Sequence, residues 1–559
     1  MLRYRLPARR LGARMSYLDG PRIAFTGRFL GDVSTVNNDD ASFQPSPQPP
    51  NPPPGLNWNP GGSATFDFLN CRVVGGEGAS GAPMSVDDPA RGLAIVGAAD
   101  RSSAKLVDLD PDWQRSSQLW GLAMRLVDPA TGEELLSGSF RVAAFRDLWA
   151  RQFQRWRPNG PVSGGAFVTL NGQPSGGSYT SVLDDVVYGP GVASSPVLSA
   201  LQRAATTPRL SIVLNLFGYF TRHVDGRFAT GSLTGCIGPW RPGEPDTFVA
   251  GRRIEMGVVR QASSASASAP PTKPVFFGAS VAALDQVGSR LVLDLGNAYP
   301  IVNPAGVPFS LAELSSAAET VTALQVGLLD SEAIPANHEF APGRATVLGT
   351  IDLPQAPSTA GVFSLPLDPV VVAQAAGRPL ALLARRPDDS HRVLCRETVD
   401  GLYVRADEFV HRIDAKATGA ATLATGAATF YAVKRGEPAP QETIHLGAVQ
   451  PPGALEFSTP VETGEDGTVK LPLTAADPGN PRGAIDGLVA TIRYSPRLAN
   501  GKPDYRGTGL IEELDVVVVH VREVYDPPQA PDWEADIKPI LAQYARPISD
   551  HEQASGRPG

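Results

Sequence analysis

The hydrophobic residues of this 559-residue chain recur mostly with a period of two, the spacing of a half-buried β-strand. In residues 21–31, Ile23, Phe25 and Phe29 fall on one face of such a strand. Residues 211–220 form a nearly continuous apolar run, which is typical of a buried central strand. These segments predict a fold built mainly from β-strands.

Turn residues separate these patterns along the whole chain. The sequence contains 57 glycines and 53 prolines, scattered between the apolar segments, which suits many short strands joined by turns. The clearest hairpin has the strands Leu119–Val127 and Glu133–Val142 on either side of residues 128–132. In this turn Pro129 presets one backbone dihedral and Gly132 accepts a positive φ, so the chain can reverse there.

Residues 145–156 change to the spacing of an α-helix. We expect an amphipathic helix packed on the sheet; a helix that stacks on RNA is the less favoured alternative. Its apolar face would hold Phe145, Leu148, Trp149, Phe153 and Trp156, with Arg146, Arg151 and Arg155 facing away.

A few further short helices are predicted. Ser195 and Pro196 have the residue types of a helix N-cap and of the first helical position. Residues 311–322 form a second helical segment, and Asp532 is placed to cap a third that carries Ile537.

Residues 261–274 are a low-complexity Ser/Ala/Pro segment that has nothing to pack into a core. We therefore predict two β-rich, sandwich- or barrel-like domains with a few short helices, at residues 15–260 and 275–525. Residues 526–559 would form a short helix and a polar tail. Residues 1–14 hold five arginines and no acid, and are either a basic arm or the product of a misassigned start codon.

Composition narrows the function. The net charge of −8 and the absence of a basic face argue against nucleic-acid binding. The sequence contains no run of 18 apolar residues, so it predicts no membrane-spanning helix. Cys71, Cys236 and Cys395 are far apart and odd in number, so we expect reduced thiols and a cytoplasmic protein.

No motif specifies a reaction. The sequence lacks a GxSxG elbow, a P-loop, a GxGxxG fingerprint and an HExxH motif, and no histidines have metal-ligand spacing. We therefore predict no catalytic residue, no cofactor and no metal site. Trp58, Trp113, Trp120 and Trp240 are candidates for a sugar-binding surface, although core packing is the favoured interpretation.

Four segments carry a resemblance to a known family: residues 15–27, 235–252, 431–437 and 536–544. Their order and spacing resemble the N-terminal half of the violacein-pathway iminophenylpyruvate dimer synthases and the related chromopyrrolate synthases. The matching positions, whose roles are unknown, are Asp19, Pro21, Arg22, Gly27, Trp240, Gly243, Glu244, Gly251, Arg252, Arg435, Gly436 and Glu437.

The resemblance implies oxidative coupling of two imines derived from an aromatic amino acid. It also implies a ferritin-like C-terminal half, a kind of helical bundle that commonly binds metal. The sequence up to Gly559 contains no such bundle and no ExxH helix pair, so no catalytic residue is carried over. We expect the missing half to be a separate polypeptide, unless the gene is truncated or this half binds independently.

These observations favour a non-catalytic scaffold or substrate-binding β-module that works with a separate ferritin-like partner. Two other functions stay open. One is a stand-alone enzyme with a site between the two β-domains, and the other is a carbohydrate- or surface-binding β-protein.

Overall fold

The structure is a computed structural model, and it is mainly β, as the sequence predicts. It describes residues 16–32, 63–99, 102–109, 116–149, 151, 176–222, 227–260, 275–301, 308–315, 320–329, 339–340, 344–414, 421–422, 427–450, 455–475, 477–479, 481, 487–499, 502–503, 516–523 and 529–537.

Twelve described strands in the first 240 residues form one antiparallel sheet. They are β1 (Arg22–Asp32), β2 (Thr65–Glu77), β3 (Ala94–Val96), β4 (Ala104–Val107), β5 (Gln118–Trp120), β6 (Ala123–Val127), β7 (Glu134–Phe140), β8 (Ala143–Ala144), β9 (Arg146–Trp149), β10 (Gly176–Tyr188), β11 (Leu210–Arg222) and β12 (Arg227–Pro239).

Eight of these strands close into a ring in the order β1-β12-β11-β10-β7-β6-β3-β2, because β2 pairs back to β1. Ile23 and Phe25 point into this ring and join a large buried cluster. The alternate residue Ala24 packs outside it, together with Val213 and Cys236. Both faces of β1 and β11 are therefore buried, which explains the nearly continuous apolar run of residues 211–220.

The predicted hairpin and the first predicted helix are confirmed. Strands β6 and β7 pair across residues 128–132, where Gly132 has a φ of 76°. Helix α1 (Pro196–Ala204) follows Ser195, whose side chain accepts a hydrogen bond from the N–H of Leu198.

The helix predicted for residues 145–156 is wrong where the structure describes this segment. Residues Arg146–Trp149 form strand β9, which pairs with β10. Arg146 and Arg151 are buried instead of facing away. Pairing with β10 takes up the backbone groups of β9, and aromatic rings and carbonyl oxygens elsewhere in the chain surround the two guanidinium groups.

The next eleven described strands build a second region with smaller sheets. They are β13 (Arg252–Ile254), β14 (Gly257–Arg260), β15 (Val275–Phe277), β16 (Ser280–Asp285), β17 (Arg290–Asp294), β18 (Ala323–Leu329), β19 (Glu339–Phe340), β20 (Ala345–Ile351), β21 (Val362–Pro366), β22 (Leu380–Arg385) and β23 (His391–Arg396). Sheet β13-β16-β17-β21 covers the outer face of β1, β11 and β12, whereas β19-β23-β22-β18-β20 forms a separate sheet.

Thirteen described strands form the third region: β24 (Leu402–Ala406), β25 (Val410–Asp414), β26 (Ala421–Thr422), β27 (Ala428–Lys434), β28 (Glu437–Pro438), β29 (Thr443–Gln450), β30 (Val461–Glu462), β31 (Thr468–Leu471), β32 (Thr474–Ala475), β33 (Leu488–Ser495), β34 (Leu498–Ala499), β35 (Lys502–Pro503) and β36 (Val516–Arg522). Strand β36 confirms the last predicted buried strand and runs parallel to β25.

The other described helices are short: α2 (Leu311–Leu314), α3 (Ala356–Thr359) and α4 (Pro369–Gly377). Single helical turns occur at Ser16–Leu18, Pro190–Ser194, Leu353–Gln355 and Trp533–Ile537. Helix α2 is shorter than the segment predicted over residues 311–322. After it, Ser315 Oγ accepts the backbone N–H of Val321.

The predicted linker at residues 261–274 lies outside the described part of the chain, and the domain division there stays a prediction. Strands on its two sides pair with each other, β13 with β16 and β14 with β15. The buried hydrophobic residues form three large clusters, one in each region. The predicted second domain therefore contains two separate cores.

Candidate functional site

A cleft of about 70 Å³ opens where the three regions meet. The first region contributes β9, β10 and β11, the second contributes β16 and the residues around β17, and the third contributes β24. Polar and charged side chains dominate its walls: Tyr17, Arg146, Asp147, Ser178, Thr180, Asn215, Thr247, Arg253, Ser280, Asp294, Asn297, Tyr403 and Arg405.

Arg146 brings a buried positive charge to the cleft wall. Its Nη2 donates to the carbonyl oxygens of Ala406 and Asp407 and to Oγ1 of Thr247. Its guanidinium carbon lies 3.9 Å from the ring centre of Phe409, within the range of a cation–π contact. Burial, and next the nearby charge of Arg405, lowers the pKa of Arg146 to about 10, so it stays protonated at neutral pH.

Asp147, the next residue, ties the three regions together. Its carboxylate lies 2.5 Å from Nη2 of Arg405, and its backbone oxygen accepts Nδ2 of Asn297 at 2.9 Å. Its φ of 49° is left-handed, a conformation that aspartate tolerates better than most residues. Burial acts to raise the pKa of Asp147, but the positive charges of Arg405, Arg253 and Arg146 outweigh it and hold that pKa below its ordinary value.

Tyr17 and Asp294 form a second polar pair in the wall. The Tyr17 hydroxyl donates to Oδ2 of Asp294 at 2.5 Å, and the backbone N–H of Gly296 donates to Oδ1 at 2.6 Å. Burial raises the pKa of Asp294 above its ordinary value, and burial together with the charge of Asp294 raises that of Tyr17.

Buried polar atoms of the wall without a hydrogen-bond partner among the described residues include Nε of Arg146, Oγ of Ser280 and Oδ1 of Asn297. An unsatisfied buried polar group costs about 1–3 kcal/mol, so each one in a native structure calls for an explanation, such as a function or a bound water or ion.

The cleft wall carries charges of both signs. Its walls carry three arginines, Arg146, Arg253 and Arg405, and two aspartates, Asp147 and Asp294. Within the described ranges no group of three His, Cys, Asp or Glu side chains is arranged to hold a metal ion.

None of the twelve family-matching residues lines the cleft. Those of the first segment lie around β1. Arg22 forms a buried ion pair with Glu77, which also binds Arg290. The backbone oxygen of Asp19 accepts Nη2 of Arg290, and Pro21 follows a cis peptide bond.

Gly27 lies in the middle of β1, directly above Cys71. A Cβ atom at Gly27 would come within 2.5 Å of the Cα atom of Cys71. Glycine is therefore required at this position by the close approach of two strands.

The second segment begins with a turn that contains Trp240, Gly243 and Glu244. Trp240 Nε1 donates to Asp246, and Glu244 accepts both the N–H and the hydroxyl of Ser16. Gly243 has a φ of 91° in the turn between them.

Gly251 and Arg252 follow this turn. A Cβ atom at Gly251 would come within 2.5 Å of Cγ2 of Val281. Arg252 pairs with Glu397 in a fully buried bidentate contact that links the first predicted domain to the second.

In the third segment, Arg435 and Gly436 form the tight turn between β27 and β28. Arg435 and Gly436 both have positive φ values, and Nη2 of Arg435 donates to the carbonyl oxygen of Val399. Most of the twelve residues thus form turns or buried contacts within and between the three regions. No residue that lines the cleft was among those predicted from the sequence.

Among the described histidines, His391, His411 and His520 are buried and His445 is half-buried. His391 Nε2 lies 2.9 Å from Oε1 of Gln325, and burial lowers the pKa of His411 to about 4. Cys71, Cys236 and Cys395 are free and buried. None of the helices in the described part of the chain has the length and apolar character needed to span a bilayer.

Comparisons with protein-family models, with curated proteins and with solved structures found no match to this chain.

Proposed function

We propose that the chain is a non-catalytic, substrate-binding β-module that takes a small carboxylate into the cleft between its three regions. Arg146 carries the proposal. Its guanidinium is buried in the cleft wall and donates to two backbone carbonyls and the Thr247 hydroxyl, with no carboxylate of the described residues within ion-pair distance. Asp147 and Asp407 act on this charge only at longer range, so a ligand carboxylate that pairs with it directly lowers the cost of burying it.

The size of the cleft limits what enters. Its volume of about 70 Å³ is well below the roughly 150 Å³ of an engineered cavity that admits benzene. The enclosed part therefore fits the carboxylate end of a ligand, and a bulky group attached to it stays toward the opening. Phe248 and Tyr403 also line the cleft.

The sequence resemblance suggests the biological setting. A carboxylate attached to an aromatic group is the outline of an imine derived from an aromatic amino acid, the substrate class of the dimer synthases. In this setting the β-module holds the imine in the cytoplasm, and a separate ferritin-like helical protein supplies the oxidative metal chemistry. The exposed side chains of Trp533 and Ile537, at the segment that resembles the start of the family's following helix, offer an apolar surface for that partner.

Phenylpyruvate is a stable probe for this proposal, because it has the carboxylate and ring of the imine. We expect the full chain to bind phenylpyruvate in isothermal titration calorimetry and not its uncharged methyl ester. Arg146→Met should weaken binding at least tenfold, about 1.4 kcal/mol. The control Arg412→Met removes a guanidinium that lies over Trp120, away from the cleft, and should bind as the wild type does. Equal binding of acid and ester, or unchanged binding by Arg146→Met, contradicts the proposal.

A stand-alone enzyme is the second candidate, and the Tyr17–Asp294 pair favours it. A buried carboxyl with a raised pKa next to a hydroxyl is an arrangement that transfers protons in many active sites. The test is to incubate the chain with tryptophan, an amino-acid oxidase and oxygen, and to search for coupled product by mass spectrometry. Product above the no-protein control, lost in Asp294→Asn, supports the enzyme; no product supports the binding module.

A further inference from the structure

Asn297 lines the cleft, and a hydrogen bond fixes its side-chain amide. Its Nδ2 donates to the backbone oxygen of Asp147 at 2.9 Å, and this bond determines which way the amide is turned. Oδ1 consequently points away from Asp147 and has no donor among the described residues. The backbone oxygen of Asn297 is held by Nε1 of Trp149 at 2.8 Å, so the residue is anchored at two points.

Charges of both signs line the cleft together with Asn297. They belong to Asp147 and Asp294 and to the three arginines Arg146, Arg253 and Arg405. The carboxylate of Asp147 pairs with Arg405, and that of Asp294 accepts from Tyr17 and Gly296. A ligand that is only an anion pairs with Arg146 but leaves Asn297 Oδ1 without a donor.

We infer that the cleft binds the zwitterionic head group of a free α-amino acid, with Arg146 facing the carboxylate and Asn297 Oδ1 accepting the ammonium. The inference rests on the proposed carboxylate site and adds the second charged group of the ligand. An ammonium satisfies the free acceptor, so both charges of the ligand have partners.

If only the head group is recognised, amino acids with different side chains bind. The enclosed volume of about 70 Å³ is occupied by the carboxylate, the ammonium and the carbon that joins them. The side chain lies toward the opening, where it makes few contacts. Small and aromatic amino acids therefore bind with similar affinity.

Two matched ligands test the contributions of the carboxylate and the ammonium separately. L-Alanine and propionate have the same carbon skeleton and carboxylate, and only L-alanine carries the ammonium. With the full chain, calorimetry or ligand-observed NMR should show L-alanine binding at least tenfold more tightly than propionate, and L-tryptophan binding within about threefold of L-alanine. Asn297→Leu, which removes the acceptor, should reduce L-alanine to the affinity of propionate and leave propionate unchanged.

Each outcome decides a different point. Equal wild-type affinity for L-alanine and propionate, with both lost in Arg146→Met, overturns the amino-acid inference and leaves the carboxylate site standing. Binding of neither ligand overturns the carboxylate site as well. Retained preference for L-alanine in Asn297→Leu shows that this residue does not accept the ammonium. The wild-type comparison needs no variant, so a folding defect in Asn297→Leu does not prevent a decision.

Discussion

The carboxylate of Asp147 lies 2.5 Å from Nη2 of Arg405, although 258 positions separate the two residues in the sequence. Asp147 is in β9 of the first region, and Arg405 is in β24 of the third. Their side chains are only 19% and 10% exposed. The ion pair therefore fastens the two regions together at the edge of the cleft.

Asp147→Asn should destabilise the protein by about 2–3 kcal/mol. It leaves the mostly buried Arg405 without its carboxylate, and loss of one partner of such a pair typically costs this much. Asparagine tolerates the left-handed φ of 49°, so backbone strain does not add to the effect. Urea unfolding followed by circular dichroism measures the change.

The control for this variant is Asp389→Asn. Asp389 pairs with Arg385 at the surface, where the two side chains are 63% and 42% exposed, and such pairs contribute less than about 1 kcal/mol. Equal losses in the two variants would show that the Asp147–Arg405 pair is not a connection between the regions.

Glu244 should make stability depend on pH. Burial raises the pKa of Glu244 from 4.5 to about 7, so the folded state binds its proton more tightly than the unfolded state does. The stabilisation from this group is complete below pH 4.5 and is lost as the pH rises to about 7. The unfolding free energy of the wild type minus that of Glu244→Gln, measured by urea unfolding at pH 5 and pH 7.5, should therefore be smaller at pH 7.5 than at pH 5.

Gln keeps one acceptor oxygen for the backbone N–H of Ser16, and its NH2 can donate to the Ser16 hydroxyl oxygen, but the acceptor for the N–H of Arg241 is lost. That loss is the same at both pH values, so the change of the difference with pH reports the titration. Glu456→Gln, at an exposed position, controls for the loss of one negative charge. A wild-type-minus-Glu244→Gln difference that is the same at both pH values would count against the raised pKa.

The Arg252–Glu397 pair should be a structural ion pair and not a ligand site. Arg252→Met leaves Glu397 buried and unpaired, and we expect a loss of about 3–5 kcal/mol. The double variant Arg252→Met/Glu397→Met should be more stable than the single variant, because no uncompensated charge remains. Thermal and urea unfolding of the wild type, Arg252→Met, Glu397→Met and the double variant complete the double-mutant cycle. Additive losses would contradict the coupling.

Limited proteolysis tests the linker at residues 261–274. We predict first cleavage there, because the segment is rich in Ser, Ala and Pro. Strands on both sides pair with each other, β13 with β16 and β14 with β15, so the two fragments should elute together in size-exclusion chromatography. First cleavage within residues 281–330 would argue against this boundary, and separate elution would argue against the pairing.

Local pattern was enough to predict individual elements. The alternation of Ile23, Phe25 and Phe29 specifies which face of β1 is buried, because successive side chains of a strand point to opposite faces. Ser195 begins α1 because its hydroxyl accepts a backbone N–H that the helix itself leaves unpaired. Residues near in sequence supply these interactions.

Tertiary structure alone decided β9 and the cleft. The spacing of residues 145–156 fits a helix, and the choice of a strand depends on pairing with β10 and on the rings that surround Arg146 and Arg151. Those partners lie far away in the sequence; Phe409 is one of them. Asp147 and Asn297 likewise meet only when the regions pack together. The sequence by itself determined the β-rich fold class through side-chain periodicity, whereas the site depends on long-range contacts that no local pattern encodes.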